Sequence, residues 1–169
     1  TEAMAKTLEE YPPGGIIIFG GNIESPMQLI ELVNEIKSAS TTPLFMGIDE
    51  EGGMVARIAN SSGFDVKKYQ SMQEIGNTKD PKNAEEAGKV IGAYLRDYGF
   101  NLDFAPVADV NTNPENIVIG SRAFGDNPHL VADMVKAGIS GLHSSGVMSC
   151  IKHFPGHGDT KDDTHAGFV

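Results

Sequence analysis

The segment from residue 151 to residue 169, IKHFPGHGDTKDDTHAGFV, concentrates titratable side chains between glycines. Asp163 precedes His165 by two residues, and a carboxylate so placed can fix the tautomer of an imidazole and raise its basicity. Such a histidine can accept and donate a proton near neutral pH. Gly156 and Gly158 allow the backbone to turn tightly and to move. Short Asp-x-His patterns are common, however, and a solvated acidic loop without a catalytic role fits the same residues.

The same segment also has the spacing of a metal site. His153, His157 and Asp159 are separated by four and then two residues, with the Asp-x-His pair nearby. Imidazole and carboxylate ligands suit zinc or another divalent ion. Lys152 weighs against this interpretation, because an ammonium group beside a ligand competes with the cation. The residues alone leave both acid/base chemistry and metal-dependent hydrolysis open.

Composition and charge limit the classes of function. Of the 169 residues, 40% are hydrophobic and 21% charged, which is typical of a globular domain. The formal net charge of −10 repels a phosphate backbone, and no basic stripe is present, so nucleic acid is not expected as a partner. No apolar run is long enough to predict a membrane span. Cys150 is the one cysteine, which excludes an internal disulfide, and its apolar neighbours predict a buried core thiol.

Apolar segments bounded by glycine and proline predict four buried strands that alternate with three amphipathic helices. The predicted strands are 14–21, 43–49, 100–107 and 147–154, and the predicted helices are 25–40, 83–99 and 129–146. In the first helix we expect Ser25 as N-cap and Pro26 at the first helical position. Its apolar residues recur at helical spacing, which indicates one buried face: Leu29, Leu32, Val33 and Ile36.

Alternating strands and helices, with strands apolar on both faces, predict a parallel sheet covered by helices. An open doubly wound sheet and a (β/α)8 barrel both fit this pattern. No glycine-rich phosphate loop follows a predicted strand, which weakens the nucleotide-binding doubly wound alternative. Polar loops follow the carboxyl ends of the strands, where active sites form in both architectures. We therefore expect several polar side chains to converge on one rim: Arg57, Arg122, Lys152 and His153.

The segment KHFPGHGDT, followed by DDTH, resembles the signature loop of bacterial family 3 glycoside hydrolases, in the β-N-acetylglucosaminidase branch. Three further segments resemble motifs of that family in the same order: GIDEEGGMVARI, FAPVADVNTNP and VIGSRAFG. The resemblance extends from about Gly14 to His165. Related β-glucosidases lack the H-G-D-T and Asp-x-His elements. Glu50 stands where glutamine is common and Thr164 where serine is common, and neither carries a role that the resemblance implies.

The resemblance implies a (β/α)8 TIM-barrel-like fold, with residues 1–169 as the N-terminal portion of a single glycoside hydrolase barrel domain. It implies removal of terminal β-linked N-acetylglucosamine from cell-wall or chitin-type oligosaccharides, by a retaining two-step mechanism without a cofactor. The acid/base is expected to be His165, backed by Asp163. Five residues are expected to hold the sugar: Asp49, Arg57, Arg122, Lys152 and His153.

A retaining glycosidase also needs a nucleophile, which is normally a carboxylate. The resemblance places this aspartate after a later strand, beyond residue 169. A (β/α)8 barrel takes about 250 residues, so we expect the remaining half of the barrel as a partner and no hydrolysis by the 169 residues alone. A non-catalytic sugar-binding fragment is the alternative from another class of function. Whether the protein is cytoplasmic or exported is left open by the sequence.

Overall fold

The computed structural model describes residues 2–165 and 167, and a four-stranded parallel sheet lies at its centre. Its strands are β1 (Gly15–Ile18), β2 (Phe45–Ile48), β5 (Leu102–Asp103) and β6 (Met148–Ser149). A short antiparallel pair consists of β3 (Glu50–Gly52) and β4 (Val55–Ala56). The helices are α1 (Glu2–Glu10), α2 (Pro26–Ala39), α3 (Met72–Asn77), α4 (Pro81–Asp97) and α5 (Pro128–Ser144). Single 3₁₀ turns occupy Gly20–Asn22 and Gly120–Arg122.

The order of the strands separates the two architectures that the sequence left open. The sheet order is β1-β2-β5-β6, and each neighbouring pair is parallel. Successive strands of this sheet are therefore always neighbours, as in a barrel, whereas a doubly wound sheet reverses its strand order at a switch point. The predicted parallel α/β architecture is confirmed, and the order is that of a TIM-barrel-like fold.

The predicted helices are confirmed, and their starts follow from side-chain caps. The Ser25 hydroxyl accepts a hydrogen bond from the Gln28 amide at 3.2 Å, with Pro26 at the first position of α2. Asp80 and Asn127 cap α4 and α5 in the same way, each before a proline. These two helices start two residues and one residue earlier than predicted, because Asp80 and Asn127 cap them and a proline occupies the first helical position of each. None of the described helices is long and apolar enough to cross a bilayer.

The prediction that the strands are buried on both faces is wrong. Ile18 and Met46 are buried, but Ile17 is 44% exposed and Phe45 is 50% exposed. Alternate side chains of a strand point to opposite faces, and the described helices cover only one face of this sheet well. Cys150, which follows edge strand β6, is likewise exposed rather than a buried thiol.

The segment after β2 was predicted as a polar loop, and the structure shows that it forms the β3–β4 pair around a buried Glu50. The side chain of Glu50 is fully buried, and burial raises its pKa. Its carboxylate accepts hydrogen bonds from the backbone amides of Ile58 at 2.8 Å and Ala59 at 2.9 Å, and from the Tyr94 hydroxyl at 2.9 Å. All three partners are donors, which suits a carboxylate better than an amide. Glu50 thus fixes the position of its neighbours Asp49 and Glu51.

Asp103, the last residue of β5, also fixes the segment that contains Glu50. Its Oδ1 accepts the backbone N–H of Glu50 at 2.9 Å, while its buried Oδ2 has no hydrogen-bond partner among the described residues. Burial therefore raises the pKa of Asp103 well above the usual range of an aspartate. The folded protein therefore holds a proton at this position more strongly than the unfolded chain does.

Helices α4 and α5 pack in direct backbone contact through glycines. A Cβ atom on Gly88 would lie 2.3 Å from the carbonyl oxygen of Gly138, and one on Gly141 would lie 2.1 Å from the carbonyl oxygen of Glu85. Atoms cannot approach so closely, so only glycine allows this helix separation. The same two helices contribute to the main hydrophobic core behind the sheet.

Gly141→Ala is expected to lower the free energy of unfolding by about 1–3 kcal/mol, because the added methyl group must push α4 away. Gly138→Ala is the matched control, since its nearest atoms would lie 3.7 Å from the new Cβ and alanine favours a helix. Urea unfolding of both variants measures the difference. Equal midpoints for the two variants would contradict the close packing described here.

Asp103→Asn is expected to remove part of the pH dependence of stability. A raised pKa in the folded state means that the wild type loses stability as pH rises from 3.8, the ordinary aspartate value, to the folded pKa. Over that window the variant should gain up to about 1.4 kcal/mol per pH unit relative to the wild type. Asp97→Asn, at an exposed position, is the control and should show no such trend in urea midpoints across pH. Parallel pH curves for the Asp103 variant and the wild type would show that burial does not perturb this carboxyl.

Candidate active site

Asp49 and Lys152 meet at the carboxyl edge of the sheet. Asp49 directly follows β2, and Lys152 follows β6 with a bridge to Val107. The Lys152 Nζ lies 2.6 Å from Asp49 Oδ1, and Arg57 Nη2 lies 3.4 Å from Asp49 Oδ2. Burial acts to raise the pKa of Asp49, but the hydrogen bond and charge of Lys152 outweigh it, so the pKa is lowered. Asp49 is therefore an ionised carboxylate with two cationic partners.

Glu51 connects Lys152 to Arg122. Its side chain is 1% exposed, and its Oε1 lies 2.5 Å from Lys152 Nζ and 2.7 Å from Arg122 Nη2. The Arg122 Nε donates to Glu51 Oε2 at 2.8 Å, which completes a two-point contact and raises the pKa of the guanidinium. Glu51 is not among the site residues that the sequence predicts. Its place beside Asp49 in the motif GIDEEGG was the available signal.

His153 extends the network to Asp109. Its Nε2 lies 3.1 Å from Arg122 Nη2, and its Nδ1 lies 2.6 Å from Asp109 Oδ2. The peptide bond between Lys152 and His153 is cis. The structure therefore brings all five residues expected to hold the sugar into one continuous chain of contacts: Arg57, Asp49, Lys152, Arg122 and His153, with Glu51 and Asp109 as linking carboxylates.

An open cavity of about 530 Å³ lies beside this network. Asp109, Lys152 and His153 line it, together with residues of the loop that follows them. Small-molecule sites generally occupy about 300–1,000 Å³. The cavity is large enough for a monosaccharide, and Lys152 and His153 connect it to Asp49 and Arg122, which do not line it themselves.

The loop from residue 154 to residue 165 is anchored at its base. The His157 amide donates to Asp109 Oδ1 at 2.5 Å, and the Asn116 side chain donates to the His157 carbonyl at 2.6 Å. A Cβ atom on Gly158 would lie 2.0 Å from the carbonyl oxygen of Val110. Gly158, expected as a point of movement, therefore allows a close backbone approach. Gly156 has a positive φ of 135° and open space around it.

Asp163 and His165 form a pair at the far end of this loop. The His165 Nδ1 lies 2.6 Å from Asp163 Oδ1, which also accepts the His165 backbone amide at 2.9 Å. The backbone and side-chain hydrogen bonds from His165 lower the pKa of Asp163. The His165 side chain is 89% exposed, so its other ring nitrogen faces solvent in this conformation. Residues 166, 168 and 169 of the segment lie outside the described residues.

The spacing that suggested a metal site does not correspond to a grouping of ligands. His157 Nδ1 contacts the Thr160 hydroxyl, and Asp159 accepts a hydrogen bond from Thr112 at 2.8 Å. Within residues 2–165 and 167, no three His, Cys, Asp or Glu side chains are arranged to hold a metal ion.

The chain matches the N-terminal domain of glycosyl hydrolase family 3 over residues 1–169. It is 40% identical to beta-hexosaminidase A of Pseudoalteromonas piscicida, and the match covers 97% of this chain and 28% of that protein. It is 39% identical to a beta-hexosaminidase of Nitrosomonas eutropha, and the match covers 98% and 48% of the two chains. The chain thus spans half or less of the length of these curated relatives.

Solved structures agree in both fold and sequence. A glycoside hydrolase family 3 beta-N-acetylglucosaminidase from Paenibacillus superposes with a TM-score of 0.90 at 38% identity, over 98% of this chain and 31% of that one. Native NagZ from Neisseria gonorrhoeae superposes with a TM-score of 0.88 at 35% identity, over 98% and 48% of the two chains. The sequence match, the structural neighbours and the strand order agree, and the chain belongs to glycosyl hydrolase family 3.

Proposed function

We propose that residues 1–169 are the N-terminal portion of the barrel domain of a retaining β-N-acetylglucosaminidase. The substrate is a cell-wall or chitin-type oligosaccharide that ends in β-linked N-acetylglucosamine. The observation that carries the proposal is the network of Asp49, Lys152 and His153 beside an open cavity at the carboxyl edge of the sheet. The relatives named beta-hexosaminidase and beta-N-acetylglucosaminidase support the same reaction.

The network is chemically suited to bind a sugar. An ionised Asp49 accepts hydrogen bonds from sugar hydroxyls, while Lys152, Arg57 and Arg122 donate to hydroxyl oxygens. In the free protein these groups satisfy one another, which keeps them oriented until a sugar replaces some of the contacts. The carboxylates and cations come from different loops and face each other, so the polar surface for the sugar is already formed in the free protein.

The Asp163–His165 pair is suited to move the proton. A carboxylate at Nδ1 accepts the Nδ1–H of the ring, so the imidazolium gives its Nε2 proton to the glycosidic oxygen. The neutral Nδ1–H ring that remains takes a proton from water in the second step. Because His165 is 89% exposed here, the end of the loop must cover the bound sugar before the transfer. A neutral imidazole also does not repel an anionic acceptor, whereas a second carboxylate would.

We place the nucleophile of the first step outside these 169 residues, on a later strand of the barrel. The described carboxylates in the network are already engaged with cations or with histidine, so none is assigned to that step. The 169 residues alone are expected to bind the sugar weakly and not to hydrolyse it. The full-length protein is the form in which the reaction is tested.

Lys152→Met in the full-length protein is expected to weaken binding of N-acetylglucosamine by about 10- to 100-fold, because the variant loses a charged donor. It also leaves Asp49 and Glu51 facing each other without the cation between them. Lys161→Met is the matched control, since Lys161 pairs with Glu115 at the surface of the same loop. Calorimetric titration with the sugar measures both variants. Unchanged affinity in the Lys152 variant would remove this residue from the binding site.

His165→Ala in the full-length protein is expected to lower kcat for an aryl β-N-acetylglucosaminide by about 10²- to 10⁴-fold, because it removes the acid/base. Binding of free N-acetylglucosamine should stay within about threefold of the wild type, since the residue acts on the proton and not on the ring. His129→Ala, at the exposed start of α5, is the control.

Three outcomes would contradict these roles. A collapse of sugar affinity in His165→Ala would make the histidine a binding residue. Activity of the wild type that a chelator abolishes would favour the metal-dependent hydrolase. A full-length protein that binds the sugar without any turnover would favour the non-catalytic alternative.

A further inference from the structure

Asp109 is a buried carboxylate that the roles assigned above do not use. Its side chain is 0% exposed, and it follows β5 at the same edge of the sheet as the sugar network. Two backbone N–H groups and one ring nitrogen point at it. Oδ2 faces His153 Nδ1 at 2.6 Å and accepts the His153 amide at 3.2 Å, while Oδ1 accepts the His157 amide at 2.5 Å.

The contacts of His153 determine where its ring proton lies. Arg122 Nη2 is 3.1 Å from His153 Nε2, and a guanidinium can only donate. Nε2 therefore accepts, and the proton of the neutral ring lies on Nδ1, where Asp109 Oδ2 receives it. Asp109 and Arg122 thus hold the ring from opposite ends, and the Nε2 lone pair faces Arg122.

The second oxygen of Asp109 acts on a different part of the site. Through the His157 amide it fixes the base of the loop that carries Asp163 and His165. The Asn116 side chain holds the carbonyl of the same residue, His157, at 2.6 Å. One carboxylate therefore sets both the ring of a sugar-binding histidine and the starting point of the proton-transfer loop.

We propose that Asp109 is a positioning residue that holds His153 in the Nδ1–H tautomer and aligns the loop bearing His165 with the bound sugar. The inference rests on the proposed function, since it explains how the sugar-binding His153 and the loop that carries His165 are held in fixed positions relative to each other. It requires a carboxylate and not merely a polar side chain. An asparagine in either orientation would place an NH₂ group against the N–H groups of His153 or against the N–H group of His157.

Asp109→Asn tests the inference in the full-length protein with ¹⁵N-labelled histidine. In the wild type, NMR at a pH where the ring is neutral should show a protonated Nδ1 and an unprotonated Nε2 on His153. In the variant the ring should change to the Nε2–H tautomer, which sets two donors against each other at Arg122. Affinity for N-acetylglucosamine and kcat should each fall by about 10- to 100-fold, whereas loss of His165 alone lowers only kcat.

Glu115→Gln is the matched control. It breaks an exposed ion pair of 3.3 Å between the same two loops without touching His153 or His157, and should behave as the wild type. A wild-type His153 with its proton on Nε2 overturns the inference, and this measurement stands even where Asp109→Asn fails to fold. An Asp109→Asn protein with unchanged tautomer, affinity and kcat overturns it as well. A wild type that binds no N-acetylglucosamine but shows the Nδ1–H ring refutes the proposed function and leaves the tautomer assignment intact.

Discussion

Lys152 lies between two carboxylates, at 2.6 Å from Asp49 and 2.5 Å from Glu51, and the arrangement of the site depends on this contact. Asp49 and Lys152 are 103 residues apart in the chain. Charges that leave water at such a position are costly unless each has a partner. Because the sheet brings the carboxyl ends of its strands to one edge, Lys152 meets both carboxylates there, and Arg57 and Arg122 face the remaining negative charge. Glu51 also holds Arg122, and Arg122 and Asp109 hold His153.

Two further buried acids, Glu50 and Asp103, meet the cost of burying a charge in different ways. Glu50 is satisfied by three donors and holds the segment that carries Asp49 and Glu51. Asp103 has one oxygen without a hydrogen-bond partner among the described residues, and burial raises its pKa. These two acids have no cation at hydrogen-bond distance among the described residues, whereas Asp49 and Glu51 each contact Lys152.

Much of this arrangement could be predicted because it follows from local rules. Proline after a capping residue marks the start of α2, and polar side chains after parallel strands must meet at one edge. The two linking carboxylates could not be assigned in this way. Glu51 and Asp109 read as ordinary charges in a loop, and only the folded chain shows that one joins Lys152 to Arg122 and the other joins His153 to His157. Likewise, the exposure of Ile17 and Cys150 depends on which face of the sheet is covered, and this is a tertiary property.

The site consists of a preformed group of sugar-binding residues and an exposed acid/base pair. Asp49, Lys152 and His153 are held by several contacts each, whereas the Asp163–His165 pair stands out from the surface at the end of an anchored loop. The most direct test is a crystal structure of the full-length protein with bound N-acetylglucosamine. We expect sugar hydroxyls within hydrogen-bond distance of Asp49, Lys152 and His153, with His165 moved toward the C1 hydroxyl, which takes the place of the glycosidic oxygen. A sugar bound away from Asp49 and Lys152 would contradict it.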